Sequence, residues 1–102
     1  MNQKFGLSET DIFKIRSVLK KYTKIKQAII YGSRAMGNHK SGSDIDLALL
    51  APQMTITELF EIGNELDELQ LPYKIDLCLF HKIENQNLVK HIARVGIEFY
   101  PT

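Results

Sequence analysis

The chain is short of the features that would send it elsewhere. It has one cysteine, Cys78, so no intrachain disulfide can form and a reducing compartment suits it. No apolar run approaches the roughly 18 residues of a membrane span. The first residues carry no signal-peptide pattern, so cytoplasmic residence without a membrane partner is the expectation. Charge of one sign is missing too. A formal net charge of +1 makes no electrostatic case for a dedicated nucleic-acid surface. Internal repeats, low-complexity tracts and linkers are absent. His39, His81 and His91 lack metal-ligand spacing and are expected to face solvent or find local partners.

What is present is an ordinary globular composition. With 102 residues, 44% hydrophobic and 25% charged, residues 1–102 are expected to form a single domain. A chain of this length can bury roughly 60–70% of its unfolded surface, enough for one core.

Periodicity gives an alternation of helices and strands. Ser8 can cap a helix over Ser8–Tyr22, with Asp11 as a weak capping-box partner and Ile12, Ile15, Leu19 and Tyr22 as its apolar stripe. Ile25–Tyr31 is β-branched and aromatic and reads as a buried strand ending at Gly32. Ile45–Leu50 is a second strand, closed by Pro52. Thr55 with Glu58 forms a better capping box for a helix over Ile56–Leu69, whose stripe is Leu59, Ile62, Leu66 and Leu69. Tyr73–Phe80 reads as a third strand, apolar apart from Asp76. A last helix over Asn87–Val95 ends at Gly96, a natural C′ residue, and Ile97–Tyr100 can add an edge strand or simply pack. The expected fold is an α/β or α+β sandwich of two or three layers, with a small mixed β-sheet flanked by helices.

The chemistry is concentrated in Gly32–Leu47, GSRAMGNHKSGSDIDL: a Gly-Ser pair, ten residues, then two aspartates one apart. At a strand's period of two, Asp44 and Asp46 share one face while Ile45, Leu47 and Leu49 take the other. Like charges on a half-buried strand are costly unless neutralised, and a divalent cation is the usual neutraliser. Magnesium suits an all-oxygen site and keeps waters, so two or three carboxylates plus nucleotide phosphates suffice. Phosphoryl and nucleotidyl transfer require this kind of positioning and charge neutralisation, commonly with two metals roughly 4 Å apart. Gly32 lets a phosphate approach the backbone, and Ser33 offers a hydroxyl and an N–H where a short turn or helix starts. Arg34 either adds a cation beside the phosphates or braces the turn. Asp76, a lone acid between Ile75 and Leu77, can complete the metal cluster and accept a hydroxyl proton, or be a structural acid. His39 and Lys40 lie in the loop before the acids. Cys78 reads as an inert buried thiol, and Lys20, Lys21, Lys24 and Lys26 as a solvated helix end.

These residues together resemble the nucleotidyltransferase superfamily that shares the DNA polymerase β catalytic fold, and more narrowly the minimal nucleotidyltransferases (MNT). The likeness runs along nearly the whole chain. It implies that Gly32 and Ser33, with Arg34 beside them, contact nucleotide phosphates, and that Asp44, Asp46 and Asp76 are the catalytic, metal-binding acids. It also implies Mg2+, as two ions, with ATP as the nucleotide donor. MNT proteins pair with small helical HEPN partners, a family that includes toxin ribonucleases, and in some systems transfer AMP to a partner tyrosine. The resemblance thus implies a protein adenylyltransferase-like enzyme, the antitoxin of a HEPN/MNT pair. Larger superfamily members carry further domains for the acceptor, so a short chain is expected to take acceptor recognition from another chain. The alternative is a non-catalytic subunit that sequesters its HEPN partner. Intact Gly32, Ser33, Asp44, Asp46 and Asp76 favour the enzyme.

Overall fold

The computed structural model describes residues 4–101, so the ends of the expected domain, 1–3 and 102, lie outside the described residues. The elements follow in the order α1 (Glu9–Lys20), β1 (Gln27–Tyr31), α2 (Ser33–Met36), β2 (Ile45–Leu50), α3 (Ile56–Glu68), β3 (Ile75–Leu79), a 3-10 turn (Phe80–Lys82), α4 (Gln86–Val95) and β4 (Ile97–Tyr100). The strands form one sheet in the order β3-β2-β1-β4. β1 runs antiparallel to β2 and β4, whereas β2 and β3 are parallel, with α3 as their crossover. This is the mixed sheet with flanking helices that the sequence predicts.

Register divides the sheet into two chemically different faces. Ile30, Leu47 and Leu77 stand in one row and Ala28, Leu49 and Leu79 in another. These rows face α1 and α3, whose Ile12, Ile15, Leu19, Leu59, Ile62 and Leu66 join them in the core. The opposite face carries Tyr31, Asp46 and Asp76 in one row and Ile29, Ala48 and Cys78 in the next. α4 covers the β1 side of this second face. There, His91 meets Tyr31, and Ile29 lies against Gly96. Helices therefore sit on both faces.

Local signals place the helices well. Ser8 caps α1 by accepting the N–H of Asp11 at 3.1 Å. The Thr55–Glu58 capping box is complete, with both reciprocal hydrogen bonds made. α1 stops at Lys20 rather than Tyr22: the Lys21 and Tyr22 N–H groups close a tighter turn onto the Val18 and Leu19 carbonyls, and the Tyr22 hydroxyl donates to Glu65 on α3. That bond pushes the Tyr22 pKa up to about 12. Lys21 and Lys24 pair with Glu65 (2.7 Å) and Glu58 (2.9 Å), so part of the expected solvated lysine cluster instead ties the end of α1 to α3.

β3 is shorter than predicted at both ends. Tyr73 lies beneath the Arg34 guanidinium, 4.7 Å from its ring centroid, and Phe80 starts the 3-10 turn. Gly96 is not left-handed. Its backbone is extended (φ −64°, ψ 142°), and a Cβ there would run into the Ile92 carbonyl and the Ile29 side chain. Close approach of α4 to β1, rather than a positive φ, is what requires glycine. Gly96→Ala is expected to destabilise the protein by about 1–3 kcal/mol through overpacking, read as a lowered denaturation midpoint with unchanged m-value.

Candidate active site

Parallel pairing of β2 with β3 sets Asp46 directly across from Asp76. Neighbouring strands lie about 4.8 Å apart, so the two carboxylates share a single patch of sheet. Burial pushes the Asp46 carboxyl above the usual carboxylate range, and the charges of Asp76 and then Asp44 push it further, opposed by His91. Asp44 itself is exposed, just ahead of β2. Asp76 has a lysine nearby, Lys74 at 3.6 Å, on an exposed side chain that can swing away.

Gly32 joins this patch from the end of β1. Its backbone (φ 75°, ψ −154°) lies in a region open essentially to glycine alone. A Cβ on Gly32 would stand 2.5 Å from Asp46 Oδ2, so the missing side chain also makes room for the carboxylate. Ser33 begins α2 immediately afterwards, and Gly37 ends that single turn in the left-handed conformation. Gly32, Asp46 and Asp76 are thus brought together, with Asp44 and Ser33 at the margin.

Arg34 takes the bracing role of the two that the sequence left open. It is 2% exposed. Nε and Nη2 donate to the Ser43 carbonyl at 3.1 and 2.9 Å, and Nη1 donates to the Phe5 carbonyl at 2.7 Å. With its cation over Tyr73, Arg34 joins the N-terminal segment, the segment leading into β2 and the segment leading into β3. Burial and three N–H bonds to backbone carbonyls favour the bracing reading over a phosphate contact.

Three neighbours of the acids differ from their sequence-based readings. Tyr31 shares their row and reaches Cys78 Sγ at 3.7 Å, and burial raises its hydroxyl pKa. Cys78 is half-buried on this polar face, not in the core, and burial pushes its thiol pKa up. His91, expected to face solvent or find a local partner, is half-buried with its ring edge-on to Tyr31, centroids 6.1 Å apart. The period-two alternation Ile29-Tyr31 was the available signal for Tyr31; no local signal exists for His91, which comes from a different element. His39 is also partly buried, its Nδ1 lacking a hydrogen-bond partner among the described residues. His81 is exposed as expected.

The donor set suits a hard cation. Asp46 and Asp76 offer carboxylate oxygens side by side, and their mutual repulsion is relieved by positive charge. Among the described residues, no three His, Cys, Asp or Glu side chains already converge as a ligand cluster.

Comparison with known proteins bears on the family and the fold. The family model described as "Polymerase beta, Nucleotidyltransferase" matches residues 13–102. A Methanocaldococcus jannaschii protein named "Putative protein adenylyltransferase" is 34% identical over 80 residues, covering 78% of this chain and 81% of that protein. Among solved structures, a toxin–antitoxin crystal structure with AMP-PNP contains a chain superposing with a TM-score of 0.72 at 23% identity, covering 94% of this chain and 75% of that one. A complex of tri-AMPylated Shewanella oneidensis HEPN toxin with MNT antitoxin gives 0.69 at 20% identity, covering 92% and 72%. At these identities the structural matches speak for the fold.

Two outcomes follow from the geometry. Arg34→Ala strands two backbone carbonyls and is expected to cost about 2–4 kcal/mol in a denaturant melt. Asp46→Asn is expected to raise Tm in metal-free buffer at neutral pH. A carboxyl with a raised folded pKa binds more protons folded than unfolded between the ordinary and the raised value. Its ionisation therefore costs stability as pH rises through that window, and fully above it. The advantage of Asp46→Asn should shrink as pH is lowered through the same window, measured by thermal melts of both proteins.

Proposed function

The chain belongs to the polymerase beta nucleotidyltransferase family, and on that premise we propose that it transfers AMP from ATP to a hydroxyl of a partner protein. The observation that carries this reading is the in-register pair Asp46 and Asp76, partly exposed beside Gly32, with no buried cation paired to either among the described residues. A pure binding surface would gain nothing from adjacent like charges on a sheet face.

In this reading the opening at Gly32 admits the phosphates to the backbone, with Ser33 beside them. Asp44, Asp46 and Asp76 would hold magnesium, as two ions, which when bound neutralises phosphate charge and supports the departure of pyrophosphate. The acceptor oxygen forms a bond to the α-phosphorus, the bond from that phosphorus to the α–β bridging oxygen breaks, and pyrophosphate leaves with the electron pair. The hydroxyl proton passes to the Asp76 carboxylate. Tyr31, with Cys78 and His91 packed around it, walls one side of the acid pair.

A protein acceptor is supported by the name of the Methanocaldococcus relative, and a helical HEPN-type toxin by the AMPylated partner in the Shewanella complex. The chain would then be the antitoxin of such a pair. The test is transfer of label from α-labelled ATP with magnesium into a lysate of the native host, beside Asp46→Asn and Asp76→Asn. A labelled protein band that falls by about 10²-fold or more in each variant is the expected result. Label in nucleic acid or a small molecule would replace the acceptor, and no label from a folded protein with its partner present would overturn the enzymatic reading.

A further inference from the structure

Building on the transfer reading above, we propose that the acceptor protein presents its hydroxyl on an extended segment that adds to the free edge of β3. β3 closes one side of the sheet. Ile45 stands in register with Ile75 and donates its N–H to the Lys74 carbonyl at 2.8 Å. In a parallel ladder the residues flanking a register partner carry the bonds to the neighbouring strand. Lys74, Asp76 and Cys78 therefore address β2, and Ile75 and Leu77 turn their N–H and C=O groups outward. No other backbone hydrogen bond among the described residues takes up those outward groups. Sheet edges are normally blunted by bulges, charges or proline. The opposite edge is treated so: β4 pairs through a register shift and carries exposed Glu98. On β3 the only charge is Asp76, whose side chain lies on the face of the candidate site.

A second observation comes from α3. Leu59, Ile62 and Leu66 face the core, while Glu58 and Glu65 reach across to Lys24 and Lys21 at the end of α1. At 100° per residue the flank turned away from α1, on the β3 side, carries Ile56, Phe60 and Gly63, with exposed Asp67 among them near the helix end. Ile56 is 44% and Phe60 67% exposed. Gly63 occupies a helix interior, where only proline is a poorer choice, and a Cβ there would meet nothing within 4 Å. Nothing in this chain requires that glycine. Together with partly buried Ile75 and Leu77 on the same sheet face, Ile56, Phe60 and Gly63 give the free edge a mainly apolar flank.

Edge and flank fit one occupant. A strand added beside β3 would place the residue opposite Asp76 on the acid face, with Cβ atoms about 5 Å apart. Its two neighbours would fall on the α3 face, over Ile75, Leu77 and Phe60. The acceptor sequence around the modified residue thus reads apolar–hydroxyl–apolar, in a loop or terminus rather than a helix. Continuity with the acid pair is what selects a protein substrate over a second copy of this chain.

The test is amide hydrogen exchange by NMR in metal-free buffer, with a synthetic nonapeptide centred on Val-Ser-Val at about 1 mM. Exchange at Ile75 and Leu77 is expected to slow by about tenfold or more, with Leu47 unchanged as an internal control. A twin peptide with N-methylated backbone amides should give no protection. Phe60→Glu and Gly63→Gln should weaken protection without lowering Tm. Unchanged exchange at Ile75 and Leu77, or equal protection by the methylated twin, overturns the proposal. So does protection that needs no peptide and grows with protein concentration, which would place a second copy on the edge. Label transfer from α-labelled ATP to the same peptide is read separately. Protection without transfer to the peptide leaves the docking edge standing, and the AMP-transfer reading then stands or falls by the lysate experiment.

Discussion

Asp46 and Asp76 face one another across a parallel strand pair, and the rest of the molecule is arranged around keeping them there. Two carboxylates in that relation repel, and burial adds to the cost of ionising Asp46. The fold tolerates this because the other side of the same strands is sealed: Ile45, Leu47, Leu49 and Leu79 are buried against α1 and α3. Stability is concentrated on one face of the sheet and the electrostatic strain on the other. A site of this kind gains when a cation arrives, because binding relieves a repulsion that folding imposed.

Arg34 is the constraint that keeps the acids in register at their open end. β2 and β3 follow loops, and at their start the ladder supplies the Ile45 N–H bond to the Lys74 carbonyl. A buried guanidinium bonded to the Ser43 carbonyl and lying over Tyr73 ties the two strand starts together, and its bond to Phe5 adds the N-terminal segment. Buried, fully directed donors of this kind are expensive to remove and specify one arrangement. Gly32 complements them from the β1 side, with a backbone conformation and a missing Cβ that both serve the Asp46 carboxylate.

The two sheet faces also differ in how completely they are covered. α1 and α3 are joined by Tyr22 and by the Lys21 and Lys24 ion pairs, giving a closed layer. α4 covers only the β1 side of the acid face, where Gly96 lets it close on Ile29 and His91 meets Tyr31. Asp46 and Asp76, near the starts of β2 and β3, stay partly exposed, whereas Ala48 two residues on is buried on the same face. In the transfer reading proposed above, that opening is where a nucleotide and an acceptor would sit.

Much of this was legible in the residues, for a physical reason: the signals involved are local. Capping at Ser8 and Thr55, the core stripes of α1 and α3, the bounds of β2 and the Gly-Ser…Asp-x-Asp spacing all depend on interactions within a few residues. Glycine at 32 and acids at 46 and 76 could be singled out because each is out of place in an apolar strand context. What stayed hidden depends on contacts between distant segments. Arg34 has two equal readings in the sequence, and the bonds it makes to the Phe5 and Ser43 carbonyls lie on segments far from it in the chain. Cys78 read as a core thiol because an apolar strand does not reveal which of its faces is the wet one. His91, Tyr22 and the reason for Gly96 are likewise set by partners on other elements. The sequence by itself determined which residue types were available and which segments were helix or strand, because those follow from short-range sterics and periodicity. Only the tertiary structure decided that Asp76 lies against Asp46, that Arg34 is a brace, and that β3 has a bare edge, because register and strand order come from long-range pairing.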